Sequence, residues 1–285
     1  MADSPTNIIT LTTDFGLSDH YVGAMKGAIL SVNPRATIVD ITHDVQPQRV
    51  EEGCFLLGNA WPYFPPGSIH VAIVDPGVGG GRRALVLETP AAFFVGPDNG
   101  ILSAALPDTA RPRGYRGIAR PVRLPQEYAA VTVSSPDYVR QPPSATFHGR
   151  DVFAPVAAHL TLGVAVDSFG ERVSSILALP VPRAARKSDG SLAGRVIHVD
   201  RFGNLVTNVR AVDIGGSDVT IEVGGVVLHG LATTYGEGDE PVALTGSSGY
   251  LEVALPSGSA AQLLDADVEA PVTVRPVVVR LKRPQ

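Results

Sequence analysis

The chain is poor in the features that mark secreted or membrane proteins. Cys54 is the only cysteine among 285 residues, which excludes an internal disulfide and a metal site built from several thiolates. No apolar run reaches the roughly 18 residues needed to cross a bilayer. The first residues also lack the basic and apolar regions of a secretory signal. We therefore predict a cytoplasmic protein with no membrane partner.

Positive charge is scarce as well. Lys and Arg together number 23 against 28 Asp and Glu, and the basic residues form no block. Nucleic-acid-binding proteins need clustered Lys and Arg to displace counterions from phosphates, so we predict no nucleic-acid partner. A hydrophobic fraction of 44% is ordinary for a folded protein, and a chain of this length can bury a core without disulfides or metals.

Residues 1–180 alternate predicted strands and helices. Short β-branched runs predict the strands Ile8–Thr13, Thr37–Ile41, Ser68–Val74, Ala84–Leu87 and Phe93–Val95. Longer amphipathic runs predict the helices Tyr21–Val32, about Val50–Ala60, a short one near Leu102–Leu106, and Arg150–Leu162. This alternation indicates an α/β domain with a mostly parallel sheet. The stretch Pro107–Pro143, rich in Pro and Arg, gives no clear prediction.

The texture of the sequence changes after residue 180. Residues 181–193 combine prolines, charges and small residues without a period, and we interpret them as a linker. Glycine-rich turns then separate the short β-type runs Arg195–Val199, Leu205–Val209, Val219–Val223, Val226–Leu228, Val242–Thr245, Tyr250–Ala254 and Val272–Val279. We expect residues 194–285 to form a small all-β, barrel-like domain.

Two segments carry the most reactive set of side chains. Asp75 follows a predicted strand and precedes a glycine-rich turn and Arg82, while His148 stands beside Gly149 where a helix is predicted to begin. Open α/β sheets bind ligands at the carboxyl ends of their strands. A carboxylate, an imidazole and a guanidinium in one place could activate a water. From the residues alone, a tight turn is the preferred explanation of the Asp75 segment, and a lone histidine is more often structural than catalytic.

Other acidic residues near predicted strand ends have two interpretations each. Asp14 could accept hydrogen bonds from ribose hydroxyls or could serve the turn in which it lies. Asp40, His43 and Asp44 form a D-x-x-H-D cluster that raises the question of a metal site. Its spacing matches no metal motif, so a solvated loop is the preferred interpretation and we predict no metal.

The second domain contributes a further set of candidates. Asp200 offers a carboxylate for an ammonium group, Asn204 an amide for a carboxylate, and Phe202 an aromatic face for a flat ring. A hairpin or bulge between strands explains the same residues. The run Ser247–Tyr250 is typical of a turn into a strand, and equally of a clamp on a purine ring.

Together these segments resemble the S-adenosylmethionine hydroxide adenosyltransferase family, which includes S-adenosylmethionine hydrolases, the fluorinase and the chlorinase. The resemblance extends in order over nearly the whole chain. Its motifs are TDFG at Thr13–Gly16, VEEG at Val50–Gly53, VDPGVG at Val74–Gly79, GPDNG at Gly96–Gly100, TFHGRD at Thr146–Asp151, DRFGN at Asp200–Asn204 and SSGYLEVA from Ser247.

The resemblance implies an assembly and a reaction. The family has an α/β domain followed by a β-barrel domain, forms homotrimers, and places each active site between the first domain of one subunit and the second domain of its neighbour. For this chain it implies hydrolysis of S-adenosyl-L-methionine to adenosine and L-methionine by attack of an activated water at C5′. No cofactor and no metal are expected.

The resemblance also assigns roles to individual residues. Asp75, Arg82 and His148 match the set that holds the nucleophilic water. Asp14 matches the residue that binds the ribose hydroxyls, and Asp200 and Asn204 match those that bind the methionine ammonium and carboxylate. The remaining candidates for substrate binding are Phe147, Phe202, Ser247, Ser248 and Tyr250.

Several positions distinguish the chain from the halogenating members. Those members lack a counterpart of Asp75. The presence of Asp75 in this chain therefore favours water over halide as the nucleophile. Gly149 stands where the fluorinase has a halide-binding Ser, although the chlorinase also has Gly there. The fluorinase loop inserted between Leu87 and Phe93 is absent, and Gln48 replaces a ligand-stacking Trp. Pro256 replaces an Asn that reads adenine in some relatives, so a backbone contact would have to substitute.

Three alternative functions stay open from the sequence. A halide-dependent transferase would form 5′-chloro-5′-deoxyadenosine, and its product would depend on chloride. A non-catalytic adenosine-binding protein would copurify with adenosine and show no turnover. A metal-dependent hydrolase using Asp14, Asp40 and His43 would be inhibited by chelators.

Overall fold

The computed structural model describes residues 5–112, 118–236 and 239–277. They form two compact units, of which the first ends at Val181 and the second begins at Pro182. Within the stretch interpreted as a linker, residues 185 and 186 form a short strand that pairs with residues 192 and 193. The domain boundaries drawn from the sequence at residues 180 and 194 stay a prediction.

The first unit is built on a seven-stranded mixed sheet with the order β2-β1-β3-β5-β4-β7-β8. Its strands, with the separate pair β6 and β9, are β1 Ile8–Thr13, β2 Thr37–Thr42, β3 Ile69–Ile73, β4 Ala84–Glu88, β5 Phe93–Pro97, β6 Arg120–Arg123, β7 Ala129–Val133, β8 Gly170–Val173 and β9 Ser175–Ala178. Strands β2, β1, β3 and β5 are parallel, whereas β4, β7 and β8 add antiparallel pairings. The predicted α/β class is confirmed. The parallel strands occupy the half of the sheet that ends at β2.

Helices cover both faces of this sheet. The α-helices are α1 Tyr21–Val32, α2 Val50–Ala60 and α3 Ala154–Thr161. Alternate residues of β1 and β3 point to opposite faces, so Leu11 packs with α1 and α3 while Val74, just after β3, packs with α2. Short 3₁₀ helices lie at Trp61–Tyr63, Ile101–Ala105, Asp108–Ala110, Pro136–Tyr138 and Val166–Phe169. Within the described ranges, no helix has the length and apolar character required to span a membrane.

The predicted helix Arg150–Leu162 is divided into two kinds of helix. A π-helical turn covers Gly149–Phe153 and α3 follows it. Pro155 has no N–H to donate to the carbonyl of Asp151, four residues earlier. The N–H of Arg140 donates to that carbonyl instead, at 2.8 Å. The predicted helix is therefore present, and its first turn, directly after His148, has π-helical rather than α-helical geometry.

The second unit is an antiparallel, nearly closed sheet with the order β14-β13-β17-β11-β12-β16-β15. Its strands are β10 Ala185–Arg186, β11 Leu192–Val199, β12 Leu205–Arg210, β13 Val219–Val223, β14 Val226–His229, β15 Val242–Thr245, β16 Tyr250–Ala254 and β17 Pro271–Pro276, and its short helices are α4 Ala211–Ile214 and α5 Ala260–Leu263. A bridge between Ala232 and Leu244 connects the two ends of the sheet. The predicted barrel-like domain is confirmed, although the end of the predicted strand Val272–Val279 lies outside the described residues.

Candidate active site

The glycine-rich turn after β3 brings Asp75 and Arg82 into direct contact. Arg82 Nε donates to both Asp75 oxygens at 2.9 and 3.1 Å, and Nη2 donates to Oδ2 at 2.5 Å. Only 5% of the Asp75 side chain and 11% of the Arg82 side chain are exposed. Charged side chains this deeply buried require a partner, so each stabilises the charge of the other. The guanidinium also lies over the ring of Phe153, 5.2 Å from its centroid.

His148 completes this group through the same guanidinium. Arg82 Nη2 lies 2.8 Å from His148 Nδ1. A guanidinium can only donate, so Nδ1 accepts, and the proton of the neutral imidazole lies on Nε2. Burial, followed by the charge of Arg82, lowers the pKa of His148 below its usual 6.5. The three side chains grouped from the sequence therefore form one network, with a neutral histidine that can donate from Nε2.

Gly79 explains how the turn reaches the segment before His148. Its φ of +73° lies in the left-handed region, and a Cβ there would lie 2.2 Å from the carbonyl oxygen of Ala145. Only glycine allows both this backbone angle and this approach. The close contact places the Asp75–Arg82 turn against the chain that carries His148.

Asp14 lies in the electrostatic neighbourhood of Asp75. Its Oδ2 accepts a hydrogen bond from the backbone N–H of Gln48 at 2.9 Å. Burial raises the pKa of Asp14 above its usual value, and the negative charge of Asp75 contributes to the increase. Gln48 has a φ of +68°, which is uncommon for a residue with a side chain. Sequence reasoning treated Gln48 only as a lost tryptophan and missed this backbone donor.

Phe147 lies in an aromatic cluster beside the network. Its ring makes edge contacts with Phe15 and Tyr21, at centroid distances of 5.9 and 5.1 Å, and only 8% of the residue is exposed. A Cβ on Gly149 would lie 3.2 Å from the side chains of Met25, Phe147 and Phe15. Phe147 is therefore mainly a packed residue beside the site and does not offer an exposed surface on which a ligand ring could stack.

Arg83, although adjacent to Arg82, serves a different pair. It donates to Asp98 and to the carbonyl of Ser175, and Asp98 also accepts from the N–H of Leu177. Asn99, in the GPDNG motif, donates from Nδ2 to the carbonyl of Val74 at 2.7 Å. Asn99 thus fixes the residue before Asp75. The GPDNG motif marked Asn99 in the sequence, but the sequence did not show that Asn99 binds the residue before Asp75.

The D-x-x-H-D cluster is engaged in contacts within the protein. Asp40 accepts from Lys26 at 2.6 Å and lies 3.1 Å from His43, while Asp44 is exposed. Across residues 5–112, 118–236 and 239–277, no three His, Cys, Asp or Glu side chains are grouped so that they could hold a metal ion. The structure provides no geometric support for the metal-dependent hydrolase that uses Asp14, Asp40 and His43.

In the second unit, Asp200 and Asn204 form a closed turn. Asp200 Oδ1 accepts from the backbone N–H groups of Phe202 and Asn204, both at 2.9 Å, and Oδ2 accepts from Asn204 Nδ2 at 2.8 Å. The turn presents Phe202, which is 77% exposed. The hairpin interpretation is therefore correct for the backbone, and it leaves an aromatic ring in solvent.

The serine turn before β16 belongs to the same unit. Ser247 is exposed, Ser248 and Tyr250 are half-buried, and the turn closes through a 2.9 Å bond from the N–H of Gly249 to the carbonyl of Gly246. Nearby, Tyr235 donates to the buried Glu252 at 2.7 Å. Burial and this carboxylate raise the pKa of Tyr235 to about 12, with a smaller contribution from Asp200. Sequence reasoning missed this tyrosine–glutamate pair.

Family models and known proteins match the chain over most of its length. The family model of the SAM hydroxide adenosyltransferase N-terminal domain matches residues 9–170, and that of the C-terminal domain matches residues 194–273. The chain is 34% identical to the (R)-S-adenosyl-L-methionine hydrolase of Methanocaldococcus jannaschii, over 94% of this chain and 95% of that protein. It is 40% identical to the hydrolase of the same name from Thermus thermophilus, over 91% and 96%.

Two further similarities bear on fold and on chemistry. A crystal structure of an uncharacterized conserved protein from Thermotoga maritima superposes with a TM-score of 0.80 at 33% identity, covering 94% of this chain and 99% of that one. The fluorinase of Nocardia brasiliensis is 29% identical over 89% of this chain and 92% of that enzyme. The hydrolases named above thus match at higher identity than this halogenating enzyme.

Proposed function

The chain belongs to the S-adenosylmethionine hydroxide adenosyltransferase family, and we propose that it is an enzyme that hydrolyses (R)-S-adenosyl-L-methionine to adenosine and L-methionine. One observation carries the proposal. Arg82 is bonded simultaneously to Asp75 and to His148, so that a carboxylate and a neutral imidazole are held around one cation. This network can bind and polarise a single water molecule.

The hydrogen bonds of the network support a division of roles. Asp75 Oδ2 accepts two bonds from Arg82 at 2.5 and 2.9 Å, whereas Oδ1 accepts one at 3.1 Å and keeps more capacity for a water. His148 Nε2–H can donate to the oxygen of the same water. We therefore assign Asp75 as the proton acceptor and His148 as the donor that orients the water.

The chemical step depends more on the orientation of the water than on its activation, because a sulfonium is already a good leaving group. The water oxygen forms a bond to C5′ while the C5′–S bond breaks, its electron pair goes to sulfur, and Asp75 accepts the proton. Orientation can contribute up to about 7–11 kcal/mol to such a step, and general-base assistance a further factor of roughly 10²–10⁴. The scheme uses no metal and no cofactor.

The remaining substrate contacts are part of the same proposal. Asp14 would bind the ribose hydroxyls, and its neighbourhood to Asp75 suits a sugar whose C5′ faces the water. Asp200 and Asn204 would bind the methionine ammonium and carboxylate, and the exposed Phe202 would cover the ligand. Phe147, Ser247, Ser248 and Tyr250 would complete the walls.

Product analysis tests the reaction directly. The purified protein is incubated with S-adenosyl-L-methionine in ¹⁸O-water, with and without chloride, and the nucleosides are separated by chromatography. We expect adenosine labelled at the 5′ oxygen, in an amount independent of chloride. Formation of 5′-chloro-5′-deoxyadenosine would contradict hydrolysis, and adenosine that copurifies without any turnover would indicate a binding protein.

The assembly is also proposed from the family resemblance. We propose a homotrimer in which the second domain of a neighbouring subunit completes each site. Asp75→Ala and Asp200→Asn subunits would then be inactive alone, but about a quarter of the sites in a randomly reassembled mixture would be intact. Light scattering gives the subunit number, and failure of the mixture to regain activity would contradict shared sites.

A further inference from the structure

The D-x-x-H-D cluster has no role in the proposed reaction, yet the structure gives His43 a specific place. His43 is only 4% exposed and lies just after β2. Its Nδ1 is 2.8 Å from the hydroxyl of Thr13, the last residue of β1. Thr13 directly precedes Asp14, the residue proposed to bind the ribose. His43 thus contacts the residue directly before Asp14.

The backbone reinforces this contact on both sides of Asp14. The N–H of Gly16 donates to the carbonyl of His43 at 2.8 Å, and the N–H of Val45 donates to the carbonyl of Thr13. The Thr13 hydroxyl also accepts from the N–H of Phe15 at 3.2 Å. The loop that carries Asp14 is therefore joined to the His43 segment by two backbone hydrogen bonds and by the contact between the side chains of Thr13 and His43.

The charges around His43 determine which of its ring nitrogens carries the proton. Nε2 lies 3.1 Å from Asp40 Oδ1, and Asp40 is paired with Lys26. A carboxylate favours the proton on the nitrogen that faces it. In the tautomer with its proton on Nε2, Nδ1 accepts from the Thr13 hydroxyl, which itself accepts from the N–H of Phe15. The result is a series of contacts from Lys26 through Asp40 and His43 to Thr13, in which Nε2 and Asp40 are within ion-pair distance but do not have hydrogen-bond geometry.

A second threonine–histidine pair on β1 provides a comparison. Thr10 and His70 are also 2.8 Å apart and both are fully buried. His70 contacts the aromatic rings of Trp61, Phe64 and Phe94. This pair joins β1 to β3, three residues away from the Asp14 loop. Both pairs thus join a threonine of β1 to a buried histidine, but only the Thr13–His43 pair adjoins the loop that carries Asp14.

We propose that His43 is a positioning residue that, through Thr13, holds the Asp14 carboxylate in the orientation that binds the 2′ and 3′ hydroxyls of the nucleoside. The inference rests on the proposed function, because it requires Asp14 to bind ribose. It assigns the D-x-x-H-D cluster to substrate orientation rather than to metal binding.

Two substitutions separate the contacts of His43. His43→Asn places an amide oxygen near the Nδ1 position and can keep the bond to Thr13, whereas His43→Gln places an amide nitrogen near Nε2 and keeps only the contact with Asp40. Affinity is measured by calorimetry for adenosine and for 2′,3′-dideoxyadenosine. We expect His43→Gln to weaken adenosine binding about tenfold and dideoxyadenosine binding less than about twofold. His43→Asn should stay close to wild type for both.

Controls distinguish orientation from general damage to the fold. His70→Asn should lower the melting temperature but keep the wild-type ratio of the two affinities. In an Asp14→Ala background, His43→Gln should have no further effect on adenosine, because the carboxylate that it orients is gone. Hydrolysis by His43→Gln should show a raised KM with kcat changed less.

The outcomes separate the inference from the function on which it rests. If wild type releases no methionine from S-adenosyl-L-methionine, the proposed function fails. If wild type is active and prefers adenosine to dideoxyadenosine, but His43→Gln keeps that preference or weakens both ligands equally, the positioning role is wrong. A His43→Asn variant as weak as His43→Gln toward adenosine alone would likewise exclude the bond to Thr13 as the cause.

Discussion

Arg82 and His148 lie 2.8 Å apart through Nη2 and Nδ1, and only the guanidinium can be the donor. This single contact defines the chemistry of the site. It requires a neutral His148 with its proton on Nε2, and it excludes His148 as a base at Nδ1 while the bond to Arg82 is intact. A proton on Nδ1 would point directly at the cation.

Replacing Asp75 by Asn should remove the proton acceptor while keeping the shape of the side chain. We expect kcat to fall by about 10²–10⁴-fold, the usual contribution of a general base. Adenosine affinity, measured by calorimetry, should change little because Asp75 is assigned to the water. Turnover near the wild-type rate would remove Asp75 from the reaction.

The adjacent arginines provide a matched comparison. Arg82→Lys cannot bridge Asp75 and His148, and we expect kcat to fall on the order of 10²-fold. Arg83→Lys should weaken the pairing with the buried Asp98 and lower the unfolding free energy by about 1–3 kcal/mol, with kcat near wild type. Steady-state kinetics and thermal unfolding of the two variants check this, and equal effects of both on kcat would refute the distinction.

The pH dependence of turnover should report His148. Burial and the charge of Arg82 lower the pKa of His148 below 6.5. The neutral form required by the network is therefore complete above pH 6.5 and is lost as pH falls through that lowered pKa. We expect the acid limb of kcat/KM to have its midpoint below 6.5. A midpoint above that value would mean that His148 is not the titrating group or is not neutral.

Gly79 and Gly81 differ in the space around them. A Cβ on Gly79 would collide with the carbonyl of Ala145 and would require a left-handed backbone angle, whereas Gly81 has open space. We expect Gly79→Ala to cost about 2 kcal/mol or more and to lower kcat by displacing Arg82 from His148. Gly81→Ala should stay within about 0.5 kcal/mol of wild type. Chemical denaturation together with kinetics measures both effects.

The stability of the first unit should decrease in mild acid because of His70. Burial lowers the pKa of His70 to about 4, against about 6.5 in an unfolded chain. The folded state thus binds fewer protons, so this contribution is complete above pH 6.5 and declines toward pH 4, by roughly 3 kcal/mol in total. His70→Asn should show a correspondingly smaller loss of unfolding free energy between those pH values. Identical pH profiles would contradict the assignment.

The parallel part of the fold was predictable because its signals are local. Strands β1, β2 and β3 are short apolar runs, and α1 and α2 follow them at the spacing of βαβ units. The strands β7 and β8 were not predicted, because they pair with strands that are distant in the sequence. In addition, β8, Gly170–Val173, has only one β-branched residue. Pro155 was a visible warning against a regular helix from Arg150 onward.

The candidate site was predictable only in its composition. The family motifs placed Asp75, Arg82 and His148 in one group, but their order of contact depends on how the turn at Gly79 meets Ala145. The backbone donor at Gln48 depends on a positive φ that no side chain reveals. These contacts depend on the conformation of loops, which the periodicity of apolar residues in the sequence does not predict.

The crowding around Gly149 restricts which side chains this position can carry. Met25, Phe147 and Phe15 leave no room for even one added carbon without a shift of a few tenths of an ångström. A serine, which the resemblance assigns to the fluorinase at this position, would therefore require Met25, Phe147 and Phe15 to shift, whereas glycine fits without movement. The packing around Gly149 thus opposes a larger side chain at this position, but it does not by itself separate the use of water from the use of chloride.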